Sequence, residues 1–83
     1  MKNVIFTYDT IQNGERGEAC AMVLVDDDKA AEIKVAFDAP AAMPSAKRII
    51  LREQANGFCW GCEHLRGRKY VDDSIKAVEV KEA

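Results

Sequence analysis

The sequence has few of the residues from which catalytic sites are built. Its 83 residues include one His, one Trp, two prolines and three cysteines. A single His and scattered carboxylates supply no recognisable set of nucleophile, base and orienting group, and no glycine-rich phosphate loop is present. The sequence therefore predicts a protein that is not an enzyme and needs no cofactor.

Long apolar runs are also lacking. No stretch approaches the roughly 18 to 20 residues that a membrane span needs, and the N-terminus has no basic segment followed by a signal-type apolar core. The cysteines are odd in number, whereas small secreted scaffolds carry even, dense sets. These absences predict reduced thiols, no membrane partner and a cytoplasmic location.

The remaining composition is that of a folded globular chain, with 48% hydrophobic and 31% charged residues. A chain of this length suits a single domain over residues 1–83, which buries only somewhat more than about 60% of its unfolded surface. The net charge of −2 hides a basic middle, because residues 47–70 carry six basic and two acidic side chains. Such a region attracts anionic partners, although an acidic chain is an unusual binder of duplex DNA.

Two strands are predicted at the start of the chain. Residues 3–8 are rich in β-branched and aromatic side chains, and residues 18–25 form a more continuous apolar run. Asn13-Gly14 and Gly17 turn the chain between them. The acidic run at residues 26–28 is interpreted as a solvated turn, since a calcium loop needs alternating ligands and a distant Glu.

The middle of the chain is harder to assign. Ile33, Val35 and Phe37 alternate with polar residues, which predicts a strand at residues 32–38 with a helical turn before it. Pro40 and Pro44 predict a connecting loop at residues 39–45.

Residues 47–55 fit both a helix and a strand. Helix-forming residues and a cap at Ser45 favour the helix, whereas Asn56-Gly57 is a strong hairpin signal. The hairpin is preferred here, and it would place Leu51 opposite Cys62 and Ile49 opposite His64. With short strands at 68–71 and 75–80, the sequence predicts a mainly β fold: a small, partly closed antiparallel barrel of about six strands with at most one short helix.

The cysteines allow two chemical interpretations besides packing. A redox pair at Cys59 and Cys62 would need a helix N-terminus, and a strand would hold the two residues about 10 Å apart on opposite faces. A zinc site from Cys20, Cys59, Cys62 and His64 lacks a second Cys-x-x-Cys or a His-x-x-x-His. We therefore expect small packing residues and no metal.

A candidate ligand site lies between residues 57 and 75. Aromatic side chains there could stack on bases while arginines attract phosphates, and an alternative places the aromatic residues in the core. The candidate residues are Phe58, Trp60, Arg66, Arg68 and Tyr70. This pattern predicts a non-enzymatic module that binds single-stranded nucleic acid or a nucleotide-type ligand. The alternative is a protein–protein interaction domain, with or without structural zinc, whose strand edges pair with another chain or a second copy.

The C-terminal half, roughly residues 47–80, resembles the WYL domain. The residues that carry the resemblance are Phe58, Cys59, Gly61, Cys62, His64, Leu65, Arg66, Gly67, Arg68, Tyr70, Asp73, Ile75 and Val78. The resemblance implies an Sm-like small β-barrel that senses nucleic-acid-related ligands in regulatory proteins. It also implies that Phe58, Arg66, Arg68 and Tyr70 carry the binding and that Asp73 holds a turn. Ser74 stands where that family has Arg, and no helix-turn-helix accompanies the match.

Overall fold

The first strand is the centre of the fold, because every other strand pairs with it. The computed structural model describes all 83 residues. The elements are β1 (Lys2–Gln12), β2 (Glu15–Val25), α1 (Asp27–Asp38), a 3-10 turn (Pro40–Ala42), α2 (Ser45–Leu65), β3 (Lys69–Tyr70) and β4 (Ala77–Glu82). The predicted six-stranded barrel is wrong: four antiparallel strands form an open sheet, and 43% of the residues are helical.

The β1–β2 hairpin confirms the two predicted N-terminal strands. Asn13 and Gly14 both have positive φ, 52° and 77°, as a two-residue type I′ turn requires. The register follows from this turn and pairs Gln12 with Glu15 and Lys2 with Val25. Alternate β1 residues face the core, and these are Val4, Phe6, Tyr8 and Thr10.

Residues 32–38, predicted as a strand, belong to helix α1. Asp26 caps the helix, since its side chain accepts a 2.7 Å hydrogen bond from the Lys29 amide. Asp27 and Asp28 lie in the first turn, where negative charge interacts favourably with the helix dipole. The buried residues Ala30, Ile33 and Ala36 recur at the helical period, and this pattern outweighs the alternation at Ile33, Val35 and Phe37.

The predicted hairpin at residues 47–64 is also wrong, because this segment is the long helix α2. Its buried residues are every fourth one: Leu51, Ala55, Cys59 and Glu63. A helix turns these positions onto one stripe that packs on the sheet, whereas a hairpin would divide them between strands. Asn56-Gly57 therefore lies within the helix despite its hairpin signal.

The end of α2 fixes the directions of the two arginines that follow it. Gly67 has φ +74° and lies just beyond the helix. The amide of Gly67 donates to the carbonyl of His64, and that of Arg68 to the carbonyl of Glu63, which is the Schellman pattern of helix termination. The chain therefore reverses around Glu63.

The last two strands lie in line along the side of β1 that β2 leaves free. Tyr70 in β3 pairs with Thr10, and Val78 in β4 pairs with Phe6. Residues 71–76 separate the two strands and turn at Asp72-Asp73, although the amides of Val71 and Lys76 still donate to carbonyls of β1. Asp73 has φ 57°, and its amide donates to the side chain of Asn56 on α2.

The helices cover one face of the sheet, and the other face carries no layer. The buried hydrophobic residues all belong to the covered side or to the helices: Val4, Phe6, Tyr8, Ala21, Ala30, Ile33, Ala36, Leu51, Ala55, Cys59, Tyr70 and Val78. Met22 and Leu24 lie on the uncovered face, with 59% and 53% of their surface exposed. Neither helix has the length and apolar character needed to cross a membrane.

Candidate functional site

A buried carboxylate organises the region where the sequence predicts the ligand site. Glu63 has no exposed surface. Its Oε2 accepts hydrogen bonds from the Tyr8 hydroxyl at 2.9 Å and from Arg66 Nη1 at 2.7 Å, and its Oε1 accepts one from Arg68 Nε at 2.7 Å. A second Arg68 nitrogen lies 3.3 Å from Oε2. Both carboxylate oxygens are thus occupied by donors.

The cluster holds Glu63 in its charged form. Burial alone would raise the pKa of this carboxyl, but the hydrogen bonds from Arg68, Tyr8 and Arg66 outweigh it and hold the pKa below its ordinary value. The Tyr8 pKa is raised, first by burial and then by the bond to Glu63. A buried carboxylate whose oxygens are fully paired is suited to fixing β1, α2 and the following turn together.

The guanidinium groups of Arg66 and Arg68 are therefore already engaged in the fold through their hydrogen bonds to Glu63. The structure does bring these two predicted residues together, around Glu63. Arg66 Nη1 also donates to the carbonyl of Cys20 at 2.8 Å, so it ties the end of α2 to β2. A phosphate at this position would share both guanidinium groups with Glu63.

The three predicted aromatic residues do not form one stacking surface. Phe58 packs against Phe6 with ring centroids 6.2 Å apart, and Tyr70 is buried with its hydroxyl donating to Asn56. Burial raises the pKa of Tyr70 to about 12. Trp60 alone is exposed, at 56%, and it stacks on His64 with ring centroids 5.1 Å apart.

The three cysteines are free thiols in different surroundings. Cys20 is exposed on the uncovered sheet face. Cys59 is buried on the core side of α2, and Cys62 is partly buried. Burial raises the pKa of Cys59 to about 12, which disfavours the thiolate that redox chemistry uses.

Cys59 and Cys62 lie one turn apart on the core side of α2, so their predicted placement on opposite faces of a strand is wrong. No group of three or more His, Cys, Asp or Glu side chains is arranged to hold a metal ion. The structure thus does not bring the four zinc candidates together.

The outer edge of β2 is the largest unpaired backbone surface of the sheet. β2 pairs with no strand other than β1, and Arg66 donates to its outward-facing Cys20 carbonyl. The turn hydrogen bond joins Gln12 to Glu15, and inward and outward groups alternate from there, so the backbone amides of Cys20, Met22 and Leu24 point away from β1. Residues 19–25 contain no charged residue, glycine or proline.

An apolar cleft lies between β2 and the two helices. Its volume is about 130 Å³, and seven of its nine lining residues are hydrophobic. Val23 and Val25 of β2 form one side, and Ile33, Leu51 and Phe58 of the helices form the other. Lys29 and Gln54 are its two polar lining residues, and their side chains are joined by a 3.0 Å hydrogen bond.

The predicted site residues did not include Glu63, and the prediction did not include the apolar cleft. Glu63 could have been found from the basic residues three and five positions after it, on either side of a glycine that suits a helix end. The cleft could not have been found from the sequence, because its position depends on which side of α2 faces β2.

Comparisons with protein-family models, with curated proteins and with solved structures found no match. The resemblance to the WYL domain stays a prediction, and the barrel that it implied is not the fold of this chain. Asp73 does lie in a turn, where it contacts Asn56.

Proposed function

We propose that the protein is a non-enzymatic protein–protein interaction module that adds a strand of another chain to the free edge of β2. The supporting observation is the edge itself: an 11-residue strand paired on one side only, with an uncharged segment over residues 19–25. Natural proteins protect such edges with charge, proline, bulges or a covering element. Arg66 covers this edge at the Cys20 carbonyl, but residues 21–25 have neither charge nor proline, so an added strand would satisfy their outward backbone groups.

The uncovered face favours the same function. A strand placed beside β2 would extend the exposed apolar surface formed by Met22 and Leu24 and would bury part of it. Backbone hydrogen bonds would supply affinity, and alternate side chains would supply specificity.

Binding of single-stranded nucleic acid stays a prediction, and fewer of its candidate residues are free to contact a ligand. Its remaining exposed aromatic residue is Trp60, and Arg66 and Arg68 both contact Glu63. A titration of labelled strands should compare wild type with Trp60→Ala and Lys69→Ala. An Arg66→Ala, Arg68→Ala variant would also leave Glu63 without its cations and would confuse folding with binding.

A peptide-display selection tests strand addition. A library of random ten-residue peptides should be panned on wild-type protein, and the enriched peptides should then be measured against two substitutions of one outward-facing residue. Met22→Pro removes the outward amide without touching the β1 ladder, whereas Met22→Thr keeps that amide and favours strand. Enriched peptides should lose binding to the proline variant and keep most of it with the threonine variant.

Circular dichroism of both variants must show intact folding. Failure to enrich any peptide, or enrichment of peptides that bind the proline variant equally well, would refute strand addition at β2.

A further inference from the structure

The cleft beside β2 indicates which kind of strand the edge accepts. We propose that the edge binds an antiparallel segment of a different protein in which a basic residue precedes a large apolar side chain. The apolar side chain fills the cleft, and the basic residue lies beside Asp26 and Asp28. This inference rests on the proposed strand addition and names the partner's chemistry.

The position of the cleft follows the side-chain alternation of β2. Val23 and Val25 point to the helix side of the sheet, since Val23 pairs with the buried Val4. Residues directly opposite in a neighbouring strand have Cβ atoms about 4.5 to 5.5 Å apart. Alternate side chains of an added strand would therefore project beside these two valines, where the cleft lies.

The size of the cleft selects one large side chain. Its volume of about 130 Å³ is close to the roughly 150 Å³ cavity that holds a benzene ring in a protein core. A leucine or phenylalanine side chain is of this order, and an alanine would leave most of the space empty. The lining offers an apolar side chain little to hydrogen-bond except Lys29 and Gln54, which already contact each other.

The charges at the end of β2 select a basic neighbour. Asp27 pairs with the N-terminal ammonium group, but Asp26 and Asp28 form no ion pair. In an antiparallel partner, residues before the apolar side chain lie toward this end of β2. An ion pair at an exposed site contributes little to affinity, so a lysine or arginine there sets mainly the direction and register of the partner strand.

The same charges disfavour one register of self-pairing. Antiparallel pairing of two copies centred on Met22 would set Asp26 of each copy opposite Glu18 of the other, and like charges directly opposite in a sheet are destabilising. Pairing centred on Ala21 would set Asp26 opposite Arg16 instead, so the dimer measurement below distinguishes a second copy from a different protein.

Three fluorescent peptides test the proposal in an anisotropy titration. The first has two lysines followed by alternating threonine and leucine, the second replaces the central leucine with alanine, and the third replaces the lysines with glutamates. We expect the alanine peptide to bind at least tenfold more weakly than the first. The glutamate peptide should bind several-fold more weakly, with the difference shrinking at high salt.

Two exposed positions on α2 provide the matched protein variants. Gln54→Trp places a large ring over the mouth of the cleft, and Glu53→Trp places the same ring on the neighbouring position outside it. The first should weaken binding of the leucine peptide about tenfold or more, and the second should leave it unchanged. Equal effects of both variants, or equal binding of the leucine and alanine peptides, would overturn the assignment of the cleft.

Different outcomes would refute the proposed strand addition and the proposed partner chemistry. If display peptides depend on the Met22 amide but carry no basic residue before a large apolar one, strand addition stands and the partner assignment fails. A concentration-dependent dimer in analytical ultracentrifugation that Met22→Pro abolishes would name a second copy as the occupant and would also overturn the partner assignment.

Discussion

The Tyr8 hydroxyl donates a 2.9 Å hydrogen bond to Oε2 of Glu63, although the two residues are 55 positions apart in the chain. Both side chains are fully buried. The bond joins the central strand to the last turn of α2, and Arg66 and Arg68 join the following turn to the same carboxylate. Stability should therefore depend on the charge of one residue in the core.

Acid should destabilise the protein through Glu63. Its folded-state pKa lies below the ordinary 4.5, so the unfolded chain takes up the proton more readily. The stabilisation is fully present above the unfolded pKa and is lost as pH falls through the lower folded pKa. Urea unfolding from pH 7 to pH 3 should show this loss, and Glu63→Gln should show a smaller one.

Glu63→Gln should also lower the free energy of unfolding at pH 7 by about 2 to 3 kcal/mol, less than for a fully enclosed pair because both arginines keep access to water. Asp9→Asn is the control, since the Asp9 pKa is lowered by Lys76 and Arg16 at the sheet surface. Asp9→Asn should lower the free energy of unfolding by less than Glu63→Gln does. Parallel pH profiles for wild type and Glu63→Gln would contradict the assignment.

Tyr8→Phe and Tyr70→Phe form a second matched pair. Each removes one hydroxyl from a buried ring. Tyr8→Phe should cost about 1 to 2 kcal/mol because the buried Glu63 loses a donor. Tyr70→Phe should cost less because the partly buried Asn56 oxygen keeps the Asp73 amide as a donor. Only Tyr8→Phe removes a donor from Glu63, so only it should raise the folded pKa of Glu63 and reduce its stabilising contribution at neutral pH. Chemical denaturation at pH 7 and pH 4 would separate the two.

Alanine at either glycine within α2 should stabilise the protein. A Cβ at Gly57 or Gly61 would have no atom within 4 Å, and alanine is favoured over glycine within a helix by about 1 kcal/mol. Gly67→Ala is the opposite control, because φ +74° strains any residue with a Cβ. Thermal melts should rise for the first two variants and fall for the third.

The thiols should react in order of burial. Cys20 is exposed and should be alkylated first in the folded protein, whereas Cys59 should resist because it is buried and its pKa is raised to about 12. Mass spectrometry of peptides after timed alkylation would give the order. Early labelling of Cys59 would indicate local opening of α2.

The N-terminal hairpin could be predicted because its signals agree. β-branched residues mark β1, Asn13-Gly14 needs positive φ, and no competing helical pattern is present. In residues 45–65 the signals conflict, since Asn56-Gly57 favours a turn while the apolar residues recur every fourth position. Tertiary packing decided between them, because only a helix brings Leu51, Ala55 and Cys59 onto the sheet together.

The expected stacking surface is absent for the same reason. Arg66 and Arg68 lie together around Glu63, a buried residue that a strand would have placed elsewhere. Phe58 and Tyr70 were as compatible with a core as with a surface. Their sequence positions alone could not decide, because burial depends on how α2 crosses β1.

The central position of β1 has a consequence for the order of folding. β2 is a local partner, but β4 pairs Lys2 with Glu82 at the far end of the sequence. Contacts of such high sequence separation form late, since the chain must first close a long loop. During synthesis the hairpin would therefore exist before residues 77–82 are made. Until they arrive, β1 has an open edge on the side opposite β2, and the nascent chain has two strand edges to protect from its neighbours.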